Sequence, residues 1–232
     1  MKIGAMLVKL LLGGNSEYVI SRYTPIQASM ANLRSVWNSS RTSDHGIERL
    51  IRLLLALSVF AVPGIYFKQL FYNQRSDIQD LFTDAYVVAK LLLPIAILSY
   101  EQFDNWFFHA VQIILIAETM LYIPMQIFAS DFFSKPPTYR RSLLLLFVNY
   151  IELVFGYAVL YSMPNTMNRE FAHWFDAVYY SAVTAATIGY GDYYPISVYG
   201  KVIVSMQSMA FLVFGVLFVS FFASRIEHNR NS

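Results

Sequence analysis

The sequence predicts an all-α membrane protein, and three observations carry that reading. Apolar and aromatic residues make up 56% of the 232 residues and charged residues only 14%, where soluble domains carry roughly a quarter. A globule of this size has too little interior to hide that much apolar surface. Five stretches approach the roughly 20 apolar residues that a spanning helix needs. The segment between the last two is too short to cross twice and ends in turn residues. The chain has no cysteine and a net charge of +2. That excludes a disulfide scaffold and any Cys-ligated zinc or iron–sulfur centre, and it gives no reason to expect a nucleic-acid partner.

The elements follow in order. Ile3 to Leu12 is apolar but short and interrupted by Lys9, and no small-residue cleavage pattern follows it. It reads as an interfacial helix and not as a secretory signal. Ile26, Met30, Leu33 and Trp37 recur at helical spacing beside Arg34 and Arg41. They predict a second amphipathic helix, lying at the membrane surface or packed on the bundle. Asn38-Ser39-Ser40 has the form of a glycosylation triplet, a pattern common by chance. The five spans are about Leu50–Phe71, Phe82–Ser99, Trp106–Ala129, Leu143–Met163 and Val198–Ala223. Pro63, Pro94 and Pro124 lie inside the first three, where neighbouring helices can re-satisfy freed carbonyls. There is no internal repeat. The chain ends about ten residues after the fifth span, which leaves no room for a C-terminal regulatory ring.

Between the fourth and fifth spans lies His173 to Pro195, HWFDAVYYSAVTAATIGYGDYYP. Residues 171–186 read as a short helix, and Thr187-Ile188-Gly189-Tyr190-Gly191-Asp192 follows. A dehydrated cation needs oxygens in place of its water shell. Backbone carbonyls supply them if several face one axis, which ordinary L-residues do not easily allow. Gly189 and Gly191 reach the positive φ that permits it. Ile188 and Tyr190 would then point away and pack the strand, and Thr187 would add a hydroxyl as the innermost ligand. Non-helical backbone at membrane depth is tolerated only where it is buried or lines a water-filled path.

This segment resembles the selectivity filter of tetrameric pore-loop potassium channels, whose carbonyl rings replace the ion's hydration shell. Thr184 stands three residues before Thr187, as in the family's TxxTxGYGD pattern. Tyr179 and Tyr180 stand where the family usually has a tryptophan pair bracing the filter. Asp192 and Pro195 hold the family's positions, and Gly200 the usual start of the inner helix. The likeness covers about residues 143–225. It implies a helix–pore-loop–helix potassium channel module at 135–232. A transmembrane bundle of about three helices precedes it at 49–134, after an amphipathic segment at 1–48. It implies passive potassium conduction, with K+ held at Thr187, Ile188, Gly189 and Tyr190 and the filter completed by Gly191. No other cofactor is implied. One pore loop supplies a quarter of such a site, so the expected partners are three more copies in a homotetramer, with lipid bilayer and potassium ions. The intact glycines and Tyr190 speak against a weakly selective cation channel. A non-conducting or auxiliary subunit stays as the alternative.

The inner helix should line the cavity below the filter with Met206, Ser208, Phe211 and Gly215. Where many relatives have a hinge glycine this chain has Phe211, which leaves Gly215 as the candidate gating hinge or as a close helix contact. A voltage sensor needs a row of arginines, since each charge moved contributes about 2.3 kcal/mol per 100 mV. Only Arg49 and Arg52 have that spacing, and they read as snorkelling anchors. Lys90 and Glu118 lie at depths differing by roughly 6 Å on antiparallel neighbours, which predicts a buried ion pair. Glu152, on the fourth span, has no partner assignable from sequence. His45, His109, His173 and His228 form no metal-ligand spacing, and no nucleophile or phosphate-binding motif points to an enzyme. His173, Trp174 and Asp176 should anchor the pore helix at the outer surface.

The family's filter opens outward, which implies a cytoplasmic C-terminus in a plasma or other cell membrane. Arg225, Arg230, Lys135, Arg140 and Arg141 agree with the positive-inside rule. Counting back, however, places residues 1–48 outside, with Lys2, Lys9, Arg22, Arg34 and Arg41, followed by Arg49 and Arg52. Either the rule is broken, or one stretch does not fully cross, or residues 3–20 make a sixth crossing.

Overall fold

The computed structural model describes residues 24–38, 47–73, 76–100, 105–128 and 139–230. The segments 3–12 and 3–20, Ser39, Ser40 and Lys135 lie outside the described residues. All regular structure among the described residues is helical: α1 Pro25–Asn38, α2 Ile47–Ser58, α3 Pro63–Leu70, α4 Ser76–Ser99, α5 Trp106–Phe128, α6 Tyr139–Tyr161, α7 Trp174–Ala185 and α8 Val198–Arg230. The chain divides into two compact units. One comprises residues 1–89 and 121–138, the other residues 90–120 and 139–232.

In the first unit, α1 begins in a reciprocal cap. The Gln27 N–H donates to Thr24 Oγ1 at 3.2 Å and the Thr24 N–H to Gln27 Oε1 at 3.1 Å, with Pro25 pre-set for the first turn. Val36 is buried while Met30 and Trp37 are exposed. The apolar stripe read from the sequence is therefore turned outward.

The first expected span is not one helix. α2 ends in a 3-10 turn, Val59–Ala61, and α3 restarts at Pro63 with a bend of 58°. Proline has no N–H to continue the helix and forces Val62 into the extended region, at φ −102° and ψ 143°. The Tyr66 hydroxyl donates to the Phe60 carbonyl at 2.8 Å, satisfying one of the acceptors beside the break. Pro94, by contrast, sits inside an unbroken α4. Phe67, Phe71, Phe82 and Tyr86 stack beside the break, with the Phe71 and Phe82 centroids 3.7 Å apart. Arg49 donates to the Trp37 carbonyl at 2.6 Å. Arg52 is buried and so is not the snorkelling anchor its position suggested.

Among the described residues, three helices are long and apolar enough to cross a membrane: Leu81–Ser99, Leu144–Tyr161 and Val198–Val216. The bent α2–α3 pair qualifies only if it counts as one span. In α5, Trp106–Leu121 forms a shorter apolar run.

The second unit holds the core, built on Leu98, Leu153, Tyr157, Tyr161 and Phe214. α8 shows two faces. Ile203, Gln207, Ala210, Phe211 and Phe214 are buried, and Val202, Met206, Met209, Leu212 and Val216 are exposed. The spacing is that of a helix packed along one side. Gly200 admits the α8 start against the preceding loop: an added Cβ would lie 2.9 Å from Thr166 Cγ2 and 3.0 Å from the Thr166 carbonyl oxygen.

Candidate functional site

The short helix α7 is fixed at both ends. His173 is its N-cap: its Nδ1 accepts from the Phe175 N–H at 3.2 Å, and Asp176 Oδ2 accepts from the His173 and Ala172 N–H groups at 3.1 Å each. A carboxylate in the first turn also suits the helix dipole. Tyr193 donates to the same Oδ2 at 3.4 Å, and the Arg169 guanidinium lies 4.2 Å over the Tyr193 ring. Partial burial, followed by the Asp176 charge, pushes the Tyr193 phenol above its ordinary pKa. At the other end the Thr187 N–H donates to the Thr184 carbonyl and the Ile188 N–H to the Val183 carbonyl, both at 3.0 Å. The strand that follows therefore hangs from the last turn of α7.

That strand alternates in backbone sign. Thr187, Gly189 and Gly191 have φ of 58°, 60° and 79°, and Ile188 and Tyr190 between them do not have positive φ. Two glycines meet this need without strain. Thr187 does not: a β-branched residue at positive φ is a genuine outlier, costing about 1–3 kcal/mol. The sequence reading assigned positive φ to the glycines alone. Nothing lies within 4 Å of a Cβ built on either glycine. Ile188 and Tyr190 are 54% and 69% exposed on the single chain.

The flanking tyrosines divide their tasks. Tyr179 stacks parallel to Tyr190, with centroids 6.5 Å apart at 5°, and interacts with the Asp192 carboxylate. Tyr180 is buried edge-on against Tyr161 at 4.8 Å. The Asp192 carbonyl accepts from Asn168 Nδ2 at 3.5 Å, and the Tyr194 N–H donates to Asn168 Oδ1 at 3.0 Å.

Behind α7 lies a polar knot the sequence reading missed. Tyr161 of α6 donates to Gln207 Oε1 of α8. Gln207 Nε2 donates to the Ser181 carbonyl at 2.9 Å and to Ser181 Oγ at 3.0 Å, and Ser181 Oγ donates to the Val154 carbonyl at 2.7 Å. The visible signal was a lone amide inside an otherwise apolar spanning run.

Lys90 and Glu118 form an ion pair at 3.9 Å, both side chains largely buried, and Lys90 has further partners. Its ammonium donates to Thr119 Oγ1 at 2.6 Å, Thr119 donates to Glu152 Oε2 at 2.8 Å, and Lys90 lies 4.0 Å from that oxygen. Glu152 is 0% exposed. The fully buried carboxylate is thus Glu152, and the partner left open by sequence is Thr119 with Lys90. On the inner helix, Met206, Ser208 and Gly215 are exposed. Phe211 is buried edge-on against Tyr150, with centroids 4.8 Å apart at 89°. That corrects the expectation that it faces the cavity. α8 passes through Gly215 without a break, and a Cβ there would meet nothing within 4 Å.

Residues 144–228 match the family model Ion_trans_2, described as ion channel. That stretch holds all but the first five residues of α6, the whole of α7 and the alternating strand, and all but the last two residues of α8. With the spanning helices, the match supports a membrane protein with an ion channel module of the two-helix type, and it speaks against an enzyme. No solved structure matches the chain.

Proposed function

We propose that the protein is a potassium-selective channel, passing K+ passively through a filter made by four copies of the chain. The observation that carries this reading is the alternating φ at Thr187, Gly189 and Gly191. Alternation of left- and right-handed residues turns successive carbonyls to one side, the backbone condition for a row of oxygens along an axis. Thr187, Ile188, Gly189 and Tyr190 supply K+ ligands in this reading, and Gly191 completes the strand. Thr184, Tyr179, Tyr180 and Asp192 support it from behind. One strand cannot encircle an ion, and the exposed flanks Ile188 and Tyr190 suit burial against neighbouring copies in a four-fold ring. The α7 C-terminus, aimed at the filter base, places partial negative charge where a cation waits. Gly215, with open space around it, serves as the bending point of the inner helix. The filter faces outward from a cell membrane and the C-terminus lies in the cytoplasm.

The test is the reversal potential of purified protein in planar bilayers, with potassium on one side and sodium on the other. A value near the potassium equilibrium potential is expected. Currents reversing near zero, or no current at any voltage, would overturn the reading.

A further inference from the structure

We infer that Gln207 is a positioning residue for the filter: through Ser181 it ties the inner helix to the pore helix and sets where the filter strand sits. This deepens the potassium-channel reading and rests on it. Every polar atom of the Gln207 side chain is used. Oε1 accepts from the Tyr161 hydroxyl, and Nε2 donates to both the carbonyl and the hydroxyl of Ser181. The hydroxyl of Ser181 in turn donates to the Val154 carbonyl. Gln207, Ser181 and Tyr161 are all buried. In surroundings without water, such a closed network holds a unique geometry, because any displacement leaves a buried group unpaired.

The knot touches the pore helix close to the filter's own attachment. Ser181 lies two and three residues before Val183 and Thr184, whose carbonyls hold the Ile188 and Thr187 N–H groups. Rotation or bending of α8 at Gln207 therefore pulls on the turn from which the filter hangs. The adjoining contacts on α8, Ile203, Phe211 and Phe214, are apolar and can slide. The amide is directional and cannot. Movement of the inner helix is in this way transmitted to the carbonyl row as well as to the cavity below.

The decisive variant is the double substitution Tyr161→Phe/Gln207→Met. Gln207→Met alone leaves the Tyr161 hydroxyl buried and unpaired, which would mix a folding defect with any effect on the filter. Removing both partners of that leg restores a satisfied, apolar contact. A purely structural role predicts a double variant that behaves like wild type in every assay. The positioning role predicts a tetramer of near wild-type thermal stability whose K+/Na+ permeability ratio falls about tenfold. Ser181→Ala, which deletes only the hydroxyl leg and stays small, should fall in the same direction by a lesser factor. It decides the matter if the double variant does not assemble. Unchanged permeability ratios in assembled channels, against a wild type reversing near the potassium potential, would overturn the role of Gln207 and leave the channel reading standing. A wild type that already reverses near zero would take both down.

Discussion

Lys90 and Glu152 show what a single charged residue costs inside a bundle. Ionisable groups at membrane depth persist when they pair. Here the pairing runs through the Thr119 hydroxyl at 2.6 and 2.8 Å. Breaking one side of a buried pair costs about 3–5 kcal/mol, because it strands the other charge. Lys90→Met should therefore lower the thermal midpoint of the detergent-solubilised channel sharply. Lys90→Met with Glu152→Gln should recover part of that loss, since the fully buried carboxylate is then neutral and only the less buried Glu118 has lost Lys90. A single variant as stable as wild type in a melting experiment would mean the network carries no weight. The sequence pointed to Lys90 because a lysine in the middle of an apolar run is conspicuous. It pointed to Glu118 by counting depths along two helices. It left the partner of Glu152 open and gave no sign of Thr119, because a threonine gives no signal in an apolar helix, and because rotation about the helix axis, not depth alone, decides which neighbour is faced. Thr187 illustrates a second limit. Composition reveals where positive φ is easy, at Gly189 and Gly191, but not that the same alternation continues onto a residue that resists it.

The elements were legible where their signals were long. α4, α5, α6 and α8 carry runs of apolar residues, and the pore helix is bracketed by His173 and Asp176 at one end and the glycine-containing strand at the other. The bend in the first stretch was not legible because hydropathy is blind to direction: Leu50–Phe71 is mostly apolar, yet Pro63 breaks it by 58°, and the bent pair can still count as one span. The break bears on the charge imbalance. If α2 and α3 enter and leave on one side, residues 24–48 share a side with residue 72. If α5 crosses with α4, α6 and α8, the proposed outward-facing filter would then put that segment and the C-terminus on the cytoplasmic side, where Arg34, Arg49 and Arg52 would comply with the positive-inside rule. The chain has no cysteine, so single cysteines report without background. A membrane-impermeant maleimide applied outside intact cells should label Glu170→Cys, on the filter side, and leave Ser35→Cys untouched until the membrane is opened. Labelling of Ser35→Cys from outside would show that the first stretch crosses.

At the scale of the whole molecule, the proposed reading gives one chain a pore helix, an inner helix and one side of an ion pathway. The exposed face of α8 and the exposed Ile188 and Tyr190 would in that reading be covered by the other copies of a ring. A ring has a genetic corollary. When each pore draws its four strands at random from one pool, a copy with a spoiled strand disables every ring it enters. Equal expression of wild type and Gly189→Ala should then leave only about one ring in sixteen wholly wild type, and the potassium current of such cells should fall by far more than half. A current that falls by half would mean that each chain conducts alone. In the proposed ring, the bare edge of five residues makes inheritance of a defect dominant.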